Sequence, residues 1–322
     1  MVCLFLWVAI VLISFQAVFG SFGDRSIIFN DCLKFCLKDQ CRDKEHSRFD
    51  LDQPLILRIT YWYCEDECKY FCMWKAVDRF KAHNYSVPQF YGKWPFVRFL
   101  GMQEPASAVF SIANGIGFVY MLQKLLELPS SGVPMRSIWL FYSVLAIFTW
   151  CWSTIFHARD SSFTEKMDYF CGFSSVLFGF YASVIRIIQP TKNWITPIIG
   201  LAFLMFFTSH VYYLAFVHFD YGYNMTANII AGALNSISWL AWSWREKQRG
   251  RWKAVRPCVI VVIWACLTML LELGDFPPIF WTLDAHALWH FATIPLPWIW
   301  TTFIVNDCRF LMQQKSEEEK IA

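Results

Sequence analysis

From residue 105 onward the chain is written in blocks of apolar residues separated by short polar punctuation. The blocks fall at 105–126, 136–157, 167–188, 194–216, 223–243, 255–274 and 284–305. Each is close to the ~20 residues a helix needs to cross a bilayer. The intervening stretches carry turn formers: Pro129-Ser130-Ser131-Gly132, Gln189-Pro190-Thr191 and Pro277-Pro278. The pattern predicts an all-α membrane protein, with a seven-transmembrane helix bundle over 101–308 and a short tail over 309–322. No internal repeat is evident.

Two segments ahead of the bundle read differently. Met1 to Gly20 are apolar and end in Val18-Phe19-Gly20, the pattern of a secretory signal peptide. No Lys or Arg precedes the apolar core, so an uncleaved anchor is the alternative; either delivers the next segment of chain to the lumen. Residues 21–100 are polar and carry Cys32, Cys36, Cys41, Cys64, Cys68 and Cys72. In an oxidising compartment these read as the disulfide framework of a small lumenal domain rather than a zinc cluster. The i, i+4 spacings predict two short stapled helices, but spacing does not fix the pairing. Asn84 and Asn224 each open a glycosylation sequon, Asn84-Tyr85-Ser86 and Asn224-Met225-Thr226.

Composition agrees with the pattern: 57% of residues are hydrophobic, 19% aromatic and only 16% charged, against about 25% charge in soluble domains. There is no nucleic-acid signature, since no finger, RNP motif or basic stripe lies outside one short loop. The formal net charge of +3 matters less than where the cations sit. Arg245, Lys247, Arg249, Arg251, Lys253 and Arg256 crowd one loop; Lys124, Arg136, Arg186, Lys192, Arg309, Lys315 and Lys320 flank others on the same side. The opposite loops hold Arg159 and Lys166. The basic side is cytosolic by the positive-inside rule, which puts the cysteine domain in the lumen and the C-terminus in the cytosol. The basic loop is read as an orientation signal rather than a lipid-headgroup site.

Orientation gives depth to the polar residues of the spans. His286 and His290 share one face of the seventh span, one turn apart, at its lumenal end. Ser153 and His157 share a face at the lumenal end of the second, and Asp168 begins the third. Imidazole is costly in hydrocarbon unless it has a partner or a task. Three histidines on two helices at one depth, beside a carboxylate, point to a metal. Imidazole nitrogens suit zinc, and three protein ligands with one open position mark a catalytic rather than a structural site. The open position takes water, whose pKa zinc lowers towards ~7. Asp168 is then a general acid/base or a fourth ligand, the first being preferred, and Ser153 a donor to a developing oxyanion. His210 and His218 near the end of the fourth span are read as structural or interfacial. Glu104, Ser107 and Asn114 of the first span, with Ser111, point into the bundle. Glu104 lies at the lumenal mouth with Asp220, Asp275 and Asp284, either as a second site for a hard cation such as calcium or, preferred, as caps and interhelical hydrogen bonds. Asn228, Asn235 and Glu272 are expected to be bundle contacts.

Ser-x3-His in the second span, Asp168 eleven residues after that His, and His-x3-His in the seventh resemble the CREST superfamily of seven-span hydrolases, which includes alkaline ceramidases and adiponectin receptors. The six-cysteine domain and the stretches Glu104-Pro105-Ala106-Ser107, Phe156-His157-Ala158-Arg159-Asp160, Thr164-Glu165-Lys166-Met167-Asp168-Tyr169 and Asp284-Ala285-His286-Ala287-Leu288-Trp289-His290 resemble one branch, the post-GPI-attachment-to-proteins factor 3 family. The resemblance covers essentially the whole mature chain. It implies a Golgi-membrane enzyme, with endoplasmic reticulum in some organisms. The implied activity removes the sn-2 fatty acid from the glycosylphosphatidylinositol (GPI) anchor of proteins, a phospholipase A2-like ester hydrolysis. It carries zinc over to His157, His286 and His290, acid/base work to Asp168 and the oxyanion to Ser153. GPI-anchored proteins are then the partners. Two other functions fit the same residues: a ceramidase-like amidase, and a non-enzymatic receptor or chaperone with a structural zinc closed by a fourth protein ligand.

Overall fold

The computed structural model describes residues 21–41, 53–190, 192, 194–272 and 274–321. The signal-peptide reading of Met1–Gly20 lies outside the described residues. Those residues form an all-helical chain: α1 Phe22–Arg25, α2 Ile27–Gln40, α3 Leu55–Ile59 and α4 Cys64–Ala82 in the cysteine-rich part, then α5 Pro105–Leu126, α6 Arg136–Ala158, α7 Ser162–Ile188, α8 Ile195–Tyr212, α9 Tyr221–Gln248, α10 Trp252–Glu272, α11 Ala285–Thr293 and α12 Leu296–Ile321.

The cysteine-rich part is a helical hairpin. Ser26 caps α2 by accepting from the Phe29 backbone N–H. Each helix carries its cysteines about one turn apart, hence on one face. Because α2 and α4 face each other in opposite senses, the pairs nest: Cys32–Cys72, Cys36–Cys68 and Cys41–Cys64. Phe29, Ala76, Val77, Phe80 and Phe90 pack beside them as a small core. So small a core supplies little burial, and each cross-link contributes typically about 2–4 kcal/mol by restricting the unfolded chain. Asn84 sits exposed just past α4 in a left-handed turn, where a glycan has room.

The bundle inverts the pattern of a soluble protein. On α5 the buried set includes Ser107, Ser111 and Asn114, while Val109, Ile112, Ile116 and Val119 face outward. Only 11% of the apolar window over Ile195–Val217 is buried, so the fourth segment turns nearly all its apolar surface outward. Such a surface is stable only in lipid. Among the described residues, five segments are long and apolar enough to cross a membrane: α5, α6, α7, α8 with its π-helical end to Val217, and α10. The other two expected spans differ. The fifth, α9, is 28 residues long but carries Asn224, Asn228 and Asn235 along it and Arg245 and Lys247 in its last turn. The seventh is broken after Thr293 into α11 and α12. Pro295 marks the break: it has no N–H to donate, and Ile294 before it, still in helical geometry, closes a tighter bond from its N–H to the Phe291 carbonyl at 3.2 Å. The helix α12 runs on past residue 308 without interruption to Ile321.

Sequence-local signals place the remaining helix ends. Pro105 opens α5, and Ser161, Asp220 and Asp284 cap α7, α9 and α11 through hydrogen bonds from Thr164, Tyr223 and Ala287 backbone N–H groups. The core away from the cysteine-rich end is aromatic: Trp139, Trp239, Trp242, Trp300 and Phe303 meet mostly edge to face. Gly117 lets α12 close on α5, because a Cβ there would collide with the Pro297 ring.

Candidate metal centre

His157 lies in the last turn of α6, and the chain ahead of α5 is fastened to that end: Gln103 and Glu104 backbone N–H groups donate to the Ala158 and His157 carbonyls, both at 2.9 Å. His286 and His290 lie one turn apart on α11, behind the Asp284 cap. The two elements bring three Nε2 atoms together: 3.4 Å between His157 and His286, 3.1 Å between His157 and His290, and 3.0 Å between His286 and His290. His157 and His290 are each 2% exposed, so neither ring is hydrated.

The other ring nitrogens decide what this trio can do. His157 Nδ1 lies 2.8 Å from Glu104 Oε2, and His286 Nδ1 lies 2.8 Å from Glu272 Oε2 at the end of α10. A carboxylate at Nδ1 holds the ring proton there and turns the Nε2 lone pair inward. Lone pairs crowded at this distance repel unless a cation lies between them. Four tetrahedral ligands at about 2.0–2.1 Å from zinc would stand roughly 3.3–3.4 Å apart, close to the observed separations. The residues therefore fit a divalent metal of the imidazole-binding kind. His290 is fixed differently: its Nδ1 is buried without a partner, while Asn114 Nδ2 donates to its carbonyl at 2.9 Å and Trp150 meets its ring edge-on.

Glu104 carries two loads. Its Oε1 lies 2.5 Å from Lys93 Nζ, which also reaches Asp160 Oδ2 at 3.0 Å and sits over the Phe156 ring. Burial works to raise the Glu104 carboxyl, but Lys93 and His157 beside it prevail and hold it well below the ordinary carboxylate range. Lys93, in turn, is held above its ordinary range against the pull of burial by Glu104 and Asp160.

The other sequence-predicted groups fall out as follows. Asp168 is half-buried in the second turn of α7, near Ser153; it is outside the three-nitrogen group. Ser153 is buried, with its hydroxyl 3.2 Å from Ser111. Ser107 is buried with its hydroxyl unpartnered. The four carboxylates considered for calcium go to separate partners: Glu104 to His157 and Lys93, Asp220 and Asp284 to helix caps, and Asp275 to Gln89 and Trp94. His210 is buried between Phe173 and Tyr223 and bonds to Asn224, while His218 is exposed. Asn224, the second sequon residue, is 7% exposed on α9 with its side-chain oxygen engaged by His210. Glu272, expected to be a bundle contact, proves to be the carboxylate that holds His286, and Lys93 was missed altogether. A carboxylate in an apolar span, with no cation nearby in sequence, was the available signal for Glu272.

Residues 54–308 match the Per1-like family. The chain belongs to the Per1-like family. Its similarity to curated relatives runs nearly end to end. It is 40% identical over 304 residues to a zebrafish protein named GPI-specific phospholipase A2-like PGAP3, covering 94% of this chain and 95% of that protein. It is 43% identical to a protein of the same name from Xenopus tropicalis, over 92% and 93% of the two chains. It is 38% identical over 285 residues to the Drosophila melanogaster protein named post-GPI attachment to proteins factor 3, covering 87% of each. No solved structure matches. In this Per1-like chain the buried His157 and His290, with the half-buried His286, are thus a candidate metal centre within a family whose curated names concern GPI-anchor processing.

Proposed function

We propose that this Per1-like protein is a zinc-dependent lipid ester hydrolase that removes the sn-2 fatty acid from GPI anchors. The observation that carries the reading is the convergence of three Nε2 atoms within 3.4 Å, two of them backed by carboxylates at Nδ1. The names of the relatives, GPI-specific phospholipase A2-like, supply the substrate class. The chain crosses the membrane seven times, α9 and the α11–α12 pair making the two less apolar crossings. The cysteine-rich part and the metal centre face the Golgi lumen, where GPI-anchored proteins present their lipid, and the C-terminus is cytosolic. The basic residues gathered at the opposite loops support that orientation.

Zinc, when bound, supplies Lewis acidity at this point and makes water easier to deprotonate. The chain's own residues do the rest. His157, His286 and His290 offer three fixed nitrogens, and Glu104 and Glu272 keep the rings from turning. Asp168, beside Ser153 rather than among the three nitrogens, takes the proton of the attacking water and returns it to the departing glycerol oxygen. Ser153, one turn from His157, offers its hydroxyl to the charge that develops on the ester carbonyl oxygen. The products are a free fatty acid and a lyso-GPI, with no acyl-enzyme.

Lipid mass spectrometry of anchors from cells carrying only His290→Ala tests the proposal. Diacyl anchors should persist in those cells while the protein is made at normal levels. Normal lyso-GPI formation would end the hydrolase reading.

A further inference from the structure

We infer that the segment 89–98, projected from the disulfide hairpin, is a clamp on the metal centre in which Lys93 is a positioning residue for His157. The inference rests on the metal reading above and assigns the cysteine-rich part a role in it.

The clamp is rigid before it reaches the site. Phe90 is 4% exposed in the hairpin core against Phe29. Gln89 accepts from Gly23 N–H, Asp24 accepts from Tyr91 N–H and Ser21 accepts from Gly92 N–H. Phe90 and Lys93 exchange both backbone hydrogen bonds, at 2.7 and 3.0 Å, across a turn with φ of 50° at Tyr91 and 80° at Gly92. Two successive left-handed residues are the signature of the tight turn that suits a strand reversal, and it fixes where Lys93 starts.

Adjacent residues of this turn then grip the two halves of the metal centre. Lys93 goes to Glu104, which spends one oxygen on the ammonium and the other on His157 Nδ1. Trp94 Nε1 and Gln89 Nε2 go to Asp275 at 2.6 and 3.0 Å. Val97 N–H donates to the Trp281 carbonyl at 2.9 Å, and Trp74 of α4 meets the Trp281 ring edge-on. Asp275 and Trp281 belong to the loop joining Glu272 at the end of α10 to the Asp284 cap of α11, so this second grip sets the spacing of the Glu272–His286 pair. Surface docking alone would not place an ammonium against a carboxylate that is 5% exposed and 2.8 Å from a metal-ligand ring. Without Lys93, Glu104 faces its burial with only the imidazole as partner, and the hydrogen bond that orients His157 loses its fixed acceptor.

Zinc affinity of the purified full-length protein, measured in detergent by chelator competition, tests this. Lys93→Met should weaken zinc about 10-fold or more, the loss typical of removing an outer-shell partner. Lys93→Arg should restore affinity to within a few-fold, which a generic packing role for Lys93 would not require. His290→Ala is the control for the metal reading itself. If wild type and His290→Ala bind zinc alike, the metal centre is wrong and the clamp falls with it. If only His290→Ala loses zinc while Lys93→Met matches wild type, the clamp alone is wrong. Should Lys93→Met fail to fold, Asp275→Ala carries the same expectation at the second grip: several-fold weaker zinc supports the clamp, and wild-type affinity overturns it.

Discussion

The bundle buries charge at both ends, and the two clusters are built differently. At one end, Arg186 of α7 meets Asp307 of α12 in a forked pair at 2.5 and 2.7 Å, with its guanidinium 4.7 Å from the Trp242 ring. Glu246 nearby is 2% exposed and is answered by Arg249 at 3.1 Å and by Arg251. Every carboxylate there has its cation within the chain. At the other end, Glu104 and Glu272 hold the outer nitrogens of His157 and His286, and the inner nitrogens converge on one another. One cluster is complete as it stands; the other holds three nitrogens that could take a metal ion between them. Both obey the rule that buried charge must be paired, and the unanswered valence distinguishes a site from a strut.

Substitutions should separate the two. The largest effect on chemistry belongs to His157→Ala, which should abolish zinc binding and acyl release by more than the ~100-fold cost of losing an outer partner, checked by metal content and fatty-acid release. The largest effect on stability belongs to Arg186→Met, which strands Asp307 and should cost about 3–5 kcal/mol. A fall in thermal unfolding temperature should appear, with zinc affinity of the folded fraction unchanged. Adding Asp307→Leu should recover most of that loss, since a buried pair is often replaceable by apolar groups.

How much of this was legible in the sequence divides along the same line. Residues close in sequence were readable: the four-residue spacings of His286 with His290 and of Ser153 with His157 placed each pair on one helical face, and the basic loops matched their depth. The carboxylates behind the rings were not readable, because Glu104–His157 and Glu272–His286 join different helices and no periodicity reports that. Lys93 was hidden for the same reason, in a polar segment with many lysines. The seventh block looked continuous by hydropathy, since Pro295 is one residue among apolar neighbours, yet it divides α11 from α12. The helical state of the residues after 308 was not read from their charge, yet Gln, Lys and Glu are good helix formers and α12 continues through them. The burial of Asn224 was not readable either, because a tripeptide says nothing about which way its side chain faces.

Two smaller effects sharpen the contrast. Glu272→Gln keeps the shape but removes the charge behind His286, and should weaken zinc about 10–100-fold with little change in unfolding temperature. Asn84→Gln should remove a glycan, seen as loss of an endoglycosidase-sensitive mass shift, and leave both clusters untouched, whereas Asn224→Gln should produce no shift.

The most direct measurement is fatty-acid release from a diacyl GPI substrate by the purified protein, with metal content followed by elemental analysis. Chelation should remove the zinc and the release together, added zinc should restore both, and Asp168→Asn should bind zinc normally yet release no fatty acid. Release that continues in protein shown to be free of metal would contradict the account.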